Sequence, residues 1–185
     1  EGRYPKAPGD SDGVYRSAIR AKALDTLRGQ ALDQIDKAEW LPAWGRNRIY
    51  GTVESRPDWC ISRQRTWGVP LPVFYNDKNE PILDPAVINK VAEVFSEKGT
   101  NSWFELDDAA WAKLVGLPAG TTRRNDTLDV WIDSGLSHET VLRHRPELAF
   151  PADLYLEATD QHRGWFQSSL MTSVALNEKA PYRTV

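Results

Sequence analysis

Residues 150–176, reading FPADLYLEATDQHRGWFQSSLMTSVAL, constrain the fold more than any other part of the chain. Asp153-Leu154-Tyr155-Leu156 is a short apolar run of the kind that forms a buried strand. Residues 157–162 are a dense polar break in which Thr159 and Asp160 are both suited to cap a helix. From Arg163 onward Phe166, Leu170 and Val174 recur every fourth residue, the spacing of one helical face. A strand feeding a helix through a polar turn is the half-unit of an open α/β sheet, and such sheets bind ligands beyond the carboxyl ends of their strands. Glu157, Asp160 and Gln161 therefore stand where a ligand is expected, whereas His162 is expected as a surface or cap residue.

The rest of the chain is read against that unit. Residues 14–37 carry Ala18, Ala21, Leu24, Leu27, Ala31, Leu32 and Ile35 in a three-four rhythm and are expected to be helical, with residues 40–45 breaking the helix. Residues 59–61 and 71–75 read as two strands around a basic loop. Within it, Arg63 and Arg65 are two apart and point the same way in an extended chain. Two guanidiniums beside Trp67 suit a phosphate or a base; the alternative is that they bridge carboxylates at the domain edge. Further on come a turn at 76–81, a helix at 85–98, a strand at 102–106 and a helix capped by Asp107. Trp103 and Trp111 are assigned to the core. Leu128-Asp129-Val130-Trp131-Ile132 reads as a strand, with Asp133-Ser134-Gly135 as the turn at its carboxyl end.

Composition narrows the function. A net charge of −3 argues against a uniformly basic nucleic-acid face while leaving room for a local patch. With Cys60 as the single cysteine, neither an internal disulfide nor a cysteine zinc cluster is possible. His138, His144 and His162 have no metal-ligand spacing, and neither a P-loop nor a Gly-x-Gly-x-x-Gly fingerprint occurs. No apolar run has the length of a membrane span and no signal-peptide core is visible, so a cytoplasmic setting is expected. Eight tryptophans are unusual, and packing is expected to account for most of them.

Three strings carry a family resemblance: the segment ADLYLEATDQHRGWFQSSLMTSVAL, RPDWCISRQRTWGVPLPVFY at 56–75, and DTLDVWIDSGLSH at 126–138. Together, and in this order, they closely resemble the class I isoleucyl-tRNA synthetases, with DVWIDSG and DQHRGWF carrying the distinction from the valyl and leucyl enzymes. The resemblance runs from about residue 24 to residue 185. It implies an α/β fold, the second half of a Rossmann-like nucleotide-binding sheet with a small α+β connective insertion. Residues 1–55 would lead from the editing insertion, 56–75 supply strands and the basic loop, 76–122 form the connective insertion, and 123–185 complete the sheet.

The resemblance also implies a reaction. The full enzyme joins the carboxylate of isoleucine to the α-phosphate of ATP, with Mg2+, and passes the aminoacyl group to tRNA(Ile). Glu157, Ala158, Asp160 and Gln161 match the adenylate-binding phrase, with Ala158 standing where the family usually has Gly. Trp131 and Trp165 match the walls of the isoleucine side-chain pocket and are expected to converge on one cavity with Glu157 at its rim. Arg63 and Arg65 are expected near tRNA or nucleotide. No catalytic residue and no metal ligand is assigned to this chain. The two class I signatures, His-Ile-Gly-His and Lys-Met-Ser-Lys-Ser, are absent from the sequence. The expectation is an excised piece that is inactive alone, binds an adenylate analogue weakly or undetectably, and self-associates through surfaces exposed by truncation or is marginally stable. The alternative is a non-catalytic synthetase-like module that binds a nucleotide, an RNA or a partner protein.

Overall fold

A computed structural model describes residues 25–185. The irregular lead-in and most of the first half of the helix expected at 14–37 lie outside the described residues. The chain divides into two compact units, one made by the described part of Glu1–Trp59 together with Trp131–Val185, the other by Cys60–Val130.

In the first unit, α1 (Leu27–Lys37) starts where Thr26 accepts from the Gly29 backbone N–H and buries Ala31 and Ile35. After residues 38–43 the chain turns helical again as α2 (Trp44–Ser55), an element that the break expected at 40–45 did not anticipate. Ile49 and Val53 form its buried stripe. Arg28 ties the two helices by donating to the carbonyl oxygens of Glu54 and Arg56.

The second unit holds β1 (Ser62–Arg63), β2 (Phe74–Tyr75), β3 (Pro81–Ile82), α3 (Pro85–Lys98), α4 (Ser102–Glu105), α5 (Asp108–Val115), β4 (Thr122–Arg123) and β5 (Thr127–Leu128). β2 is the centre of a three-stranded antiparallel sheet between β3 and β4, and β1 pairs with β5. Two expectations are corrected here. The apolar run at 59–61 is not a strand; the strand is Ser62–Arg63, and it pairs with β5. Ser102–Glu105 is a helical turn instead of a strand, because Ser102 closes back on the Gly99 carbonyl and turns Trp103 inward. The helices at 85–98 and after Asp107 form as read, each with an aspartate cap, Asp84 on Ala86 N–H and Asp107 on Ala110 N–H. Trp103 and Trp111 are fully buried, 5.0 Å apart, with Phe74 and Phe95 against them.

The chain returns to the first unit with α6 (Trp131–Gly135), followed by a π-helical turn, His138–Leu142. The strand expected at 128–132 is thus confined to Thr127–Leu128, and Asp133, Ser134 and Gly135 are helical instead of forming a turn. β5 pairs with the two residues of β1, Asp129 N–H adds one bond to the Ile61 carbonyl at 2.8 Å, and the chain then turns into α6. β6 (Ala152–Leu154), α7 (Trp165–Asn177) and β7 (Tyr182–Thr184) then form a strand-helix-strand unit with β6 and β7 parallel. Glu39 and Leu41 add a further parallel rung on the outer edge of β7. Phe166, Leu170 and Val174 are all buried on α7 and join Ala31, Ile35, Ile49, Val53, Tyr155 and Tyr182 in one core. The run at 153–156 is not a buried strand throughout: Tyr155 is buried, but Leu154 and Leu156 are 53% and 80% exposed. Strand side chains alternate faces, and Tyr155 is on the face that α7 covers.

Candidate functional site

Beyond β6 the chain runs through exposed Glu157 and Ala158 into a 3-10 turn, Thr159–Arg163, and then into α7. Neither Thr159 nor Asp160 caps the helix. Its N-cap residue is Gly164, and the Trp165 backbone N–H donates to Gln161 Oε1 at 3.3 Å. The other end of the same amide donates from Nε2 to Asp160 Oδ2 at 2.8 Å. One side chain thereby joins the helix start to the carboxylate. Asp160 is held in direction yet stays exposed, with its second oxygen available to a ligand.

Gly164 makes this closeness possible. A Cβ placed on it would lie 2.5 Å from Gln161 Oε1 and 3.2 Å from the Cη2 of Trp131. Trp131, 43% exposed, therefore rests its ring on the bare backbone of Gly164, the residue before Trp165. The Trp165 ring packs 4.4 Å from Tyr155 and 5.1 Å from Phe166. Tyr155 is anchored by its hydroxyl to Ser169 Oγ at 3.1 Å. Burial raises the Tyr155 phenol above its usual range, against the opposing pull of that hydrogen bond. It remains a neutral packing surface for the indole.

The far side of the turn is held by His162, which is 7% exposed and so is neither a surface nor a cap residue. Its Nδ1–H donates to the Thr159 carbonyl at 2.8 Å. The ring is enclosed by Trp40, Trp44 and Phe166, with centroids 5.8, 6.3 and 5.7 Å away. One turn into α7, buried Gln167 accepts from Arg56 at 2.6 Å, and the Arg56 guanidinium also sits over Trp59. Under α6, fully buried His138 meets Thr172 Oγ1 at 3.0 Å, and burial lowers its pKa against the raising effect of Glu139.

In the other unit, Arg63 forms an ion pair with Asp129, whose side chain is 6% exposed, and donates to the carbonyls of Cys60 and Ser62. Its guanidinium is engaged within its own unit, while Arg65 is exposed. Hydrogen bonding to Ser62, more than the neighbouring Arg63, lowers the Cys60 thiol. Among the described residues no three His, Cys, Asp or Glu side chains gather to hold a metal. No helix among them is long and apolar enough to cross a membrane.

Sequence reasoning missed Gly164 and Gly45 and placed His162 at the surface. The signal available was the Gly between Arg163 and Trp165, in a string otherwise dense with large side chains.

A parallel strand-helix-strand unit that leaves fixed polar groups beyond its first strand is the nucleotide-site layout of α/β proteins. The profile of the class I tRNA synthetases (I, L, M and V) matches residues 19–185, and the chain belongs to that family. Class I synthetases use ATP as a substrate. Among curated relatives, the Isoleucine--tRNA ligase of Methylacidiphilum infernorum is 53% identical over 165 residues, which are 88% of this chain and 18% of that protein. The Isoleucine--tRNA ligase of Desulfitobacterium hafniense is 51% identical over 183 residues, 93% of this chain and 19% of that protein. That of Enterococcus faecalis is 50% identical over 179 residues, with the same shares. The chain spans 18–19% of the length of these relatives.

Proposed function

We propose that this chain is part of a cytoplasmic isoleucyl-tRNA synthetase and supplies the turn that holds isoleucyl-adenylate. The observation that carries the proposal is the 50–53% identity to proteins named as isoleucine ligases, across a turn whose carboxylates are exposed beyond β6. Activation needs two substrates held in register and charge stabilised at phosphorus, more than it needs a nucleophile from the protein. In this reading Glu157 accepts hydrogen bonds from the ribose hydroxyls. Asp160, steadied by Gln161, takes a second polar group of the adenylate, and the Ala158 backbone passes close to it.

Trp131 and Trp165 wall the aliphatic side chain of isoleucine. Such a wall rewards apolar area, yet one methylene in an apolar pocket is worth only about 1–3 kcal/mol of discrimination. Arg65 is the cation we assign to tRNA or nucleotide. Arg63 shares the role through the backbone that it fastens. Residues 76–122 are the connective insertion, and tRNA(Ile), ATP and Mg2+ are the partners of the whole protein. The test is a graft in which these residues replace their counterpart in the D. hafniense ligase. Isoleucine-dependent ATP–pyrophosphate exchange should survive the graft. Trp131→Ala should raise the KM for isoleucine and Glu157→Ala the KM for ATP. A graft that folds but exchanges pyrophosphate with no dependence on isoleucine overturns the reading.

A further inference from the structure

Gly45 and His162 meet edge to surface. Gly45 lies in the first turn of α2, where a Cβ would come 2.9 Å from His162 Nε2, 3.6 Å from its Cε1 and 3.5 Å from Trp40. Real Cβ contacts are not found that close, so either the ring or the helix would have to move. The ring has little freedom to do so. Trp40, Trp44 and Phe166 surround it, and its Nδ1–H is committed to the Thr159 carbonyl. Glycine is a poor helix residue compared with alanine. At position 45 it admits the imidazole; at Gly51 of the same helix nothing lies within 4 Å of the added carbon.

His162 follows Asp160 and Gln161 directly in the 3-10 turn. Its position therefore sets how far that turn stands from α2, and with it where the two polar side chains are presented. Nothing in the ring reaches toward Glu157 or Asp160, so it touches no ligand itself. We propose that His162, seated on the bare backbone of Gly45, is the positioning residue for the Glu157–Gln161 turn. The inference rests on the adenylate reading for its consequence, but the lock itself is a property of the ligand-free protein.

The test uses this chain and four variants: Gly45→Ala, His162→Asn, the pair together, and Gly51→Ala as the control. Asparagine keeps an N–H donor for the Thr159 carbonyl and removes the ring atoms that an alanine at 45 would strike. Two turn amides report on the lock, because Gln161 N–H donates to Ala158 and Gly164 N–H to Gln161. In Gly45→Ala both should exchange with solvent about tenfold faster, while amides in the middle of α7 keep their protection. Adding His162→Asn should return them to within about threefold of the starting chain, a non-additivity expected only for residues in contact. Gly51→Ala should leave the turn unchanged.

The second arm titrates the same proteins with isoleucyl-sulfamoyl-adenosine and follows amide shifts. Shifts at 157–161 should shrink in Gly45→Ala and recover in the pair. If Gly45→Ala accelerates exchange evenly through the unit, the contact is general packing and the proposal fails. If the pair is as perturbed as the sum of its parts, it fails also. A starting chain whose shifts with the analogue all fall outside 157–161 contradicts the adenylate reading, and the exchange cycle still decides the lock.

Discussion

The two units spend their polar and aromatic residues in opposite ways. In Cys60–Val130 they are turned on one another: Trp103 and Trp111 fill the core, and Arg123 lies over Trp103, donates to the Leu106 carbonyl and pairs with Asp108. Arg63 is consumed by Asp129. In the unit that carries the β6–α7–β7 motif, small residues clear space around a turn whose acidic side chains are left in solvent. Gly45 and Gly164 admit His162 and Gln161, and a Cβ placed on Gly135 would lie 3.3 Å from Ser168. Self-satisfied side chains make a stable body with little to offer a ligand. Side chains held in place but left exposed make a site, and that asymmetry assigns chemistry to the second arrangement.

The largest effect should come from the closed core. Trp103→Ala should cost about 3–5 kcal/mol, read by urea unfolding. α7 amides should keep their exchange protection, and loss of protection in both units at once would show that the two do not behave separately. Next is Gly164→Ala, which drives a methyl into Gln161 Oε1 and Trp131. It should cost about 1–3 kcal/mol by overpacking, with tryptophan fluorescence changed through Trp131 and Trp165. Asp107→Ala removes the cap bond to Ala110 and should cost about 1 kcal/mol in the Cys60–Val130 unit alone.

The smallest effect is a slope with pH. Burial lowers the folded-state pKa of His138 below the ordinary 6.5, while Glu139 opposes the shift. Between the two values the unfolded chain binds the extra proton. Stability is therefore complete above about 6.5 and is lost as pH falls toward the folded pKa. The Tm of the unit should drop between pH 7.5 and pH 5.5, and His138→Gln should flatten that slope. An unchanged slope would remove His138 from the account.

Periodicity made some of this architecture legible before any coordinates. Phe166, Leu170 and Val174 face the core as their spacing requires, and Asp107 caps its helix. Residues 102–106 and 128–132 have the aromatic and β-branched content of strands, a preference that tertiary context overrides. The first closes into a helical turn on the Gly99 carbonyl, and the second pairs with β1 only at Leu128 before turning into α6. In the site, the residue types of Glu157, Asp160 and Gln161 pointed to a ligand, while the roles within the turn did not show. That Gln161 and not Asp160 receives the helix N–H, and that His162 is enclosed, depend on how closely α2, α6 and α7 approach. Close approach is a tertiary quantity, and only the glycines that permit it are written in the chain.

Binding of isoleucyl-sulfamoyl-adenosine to the chain at millimolar concentration, mapped by amide and indole chemical shifts, tests the central claim most directly. The account predicts perturbation at Glu157, Ala158, Asp160 and Gln161 and at the indole N–H groups of Trp131 and Trp165, with Trp103 and Trp111 silent. Shifts confined to residues 60–130, or an isoleucyl ligand indistinguishable from adenosine alone at both indoles, would contradict it.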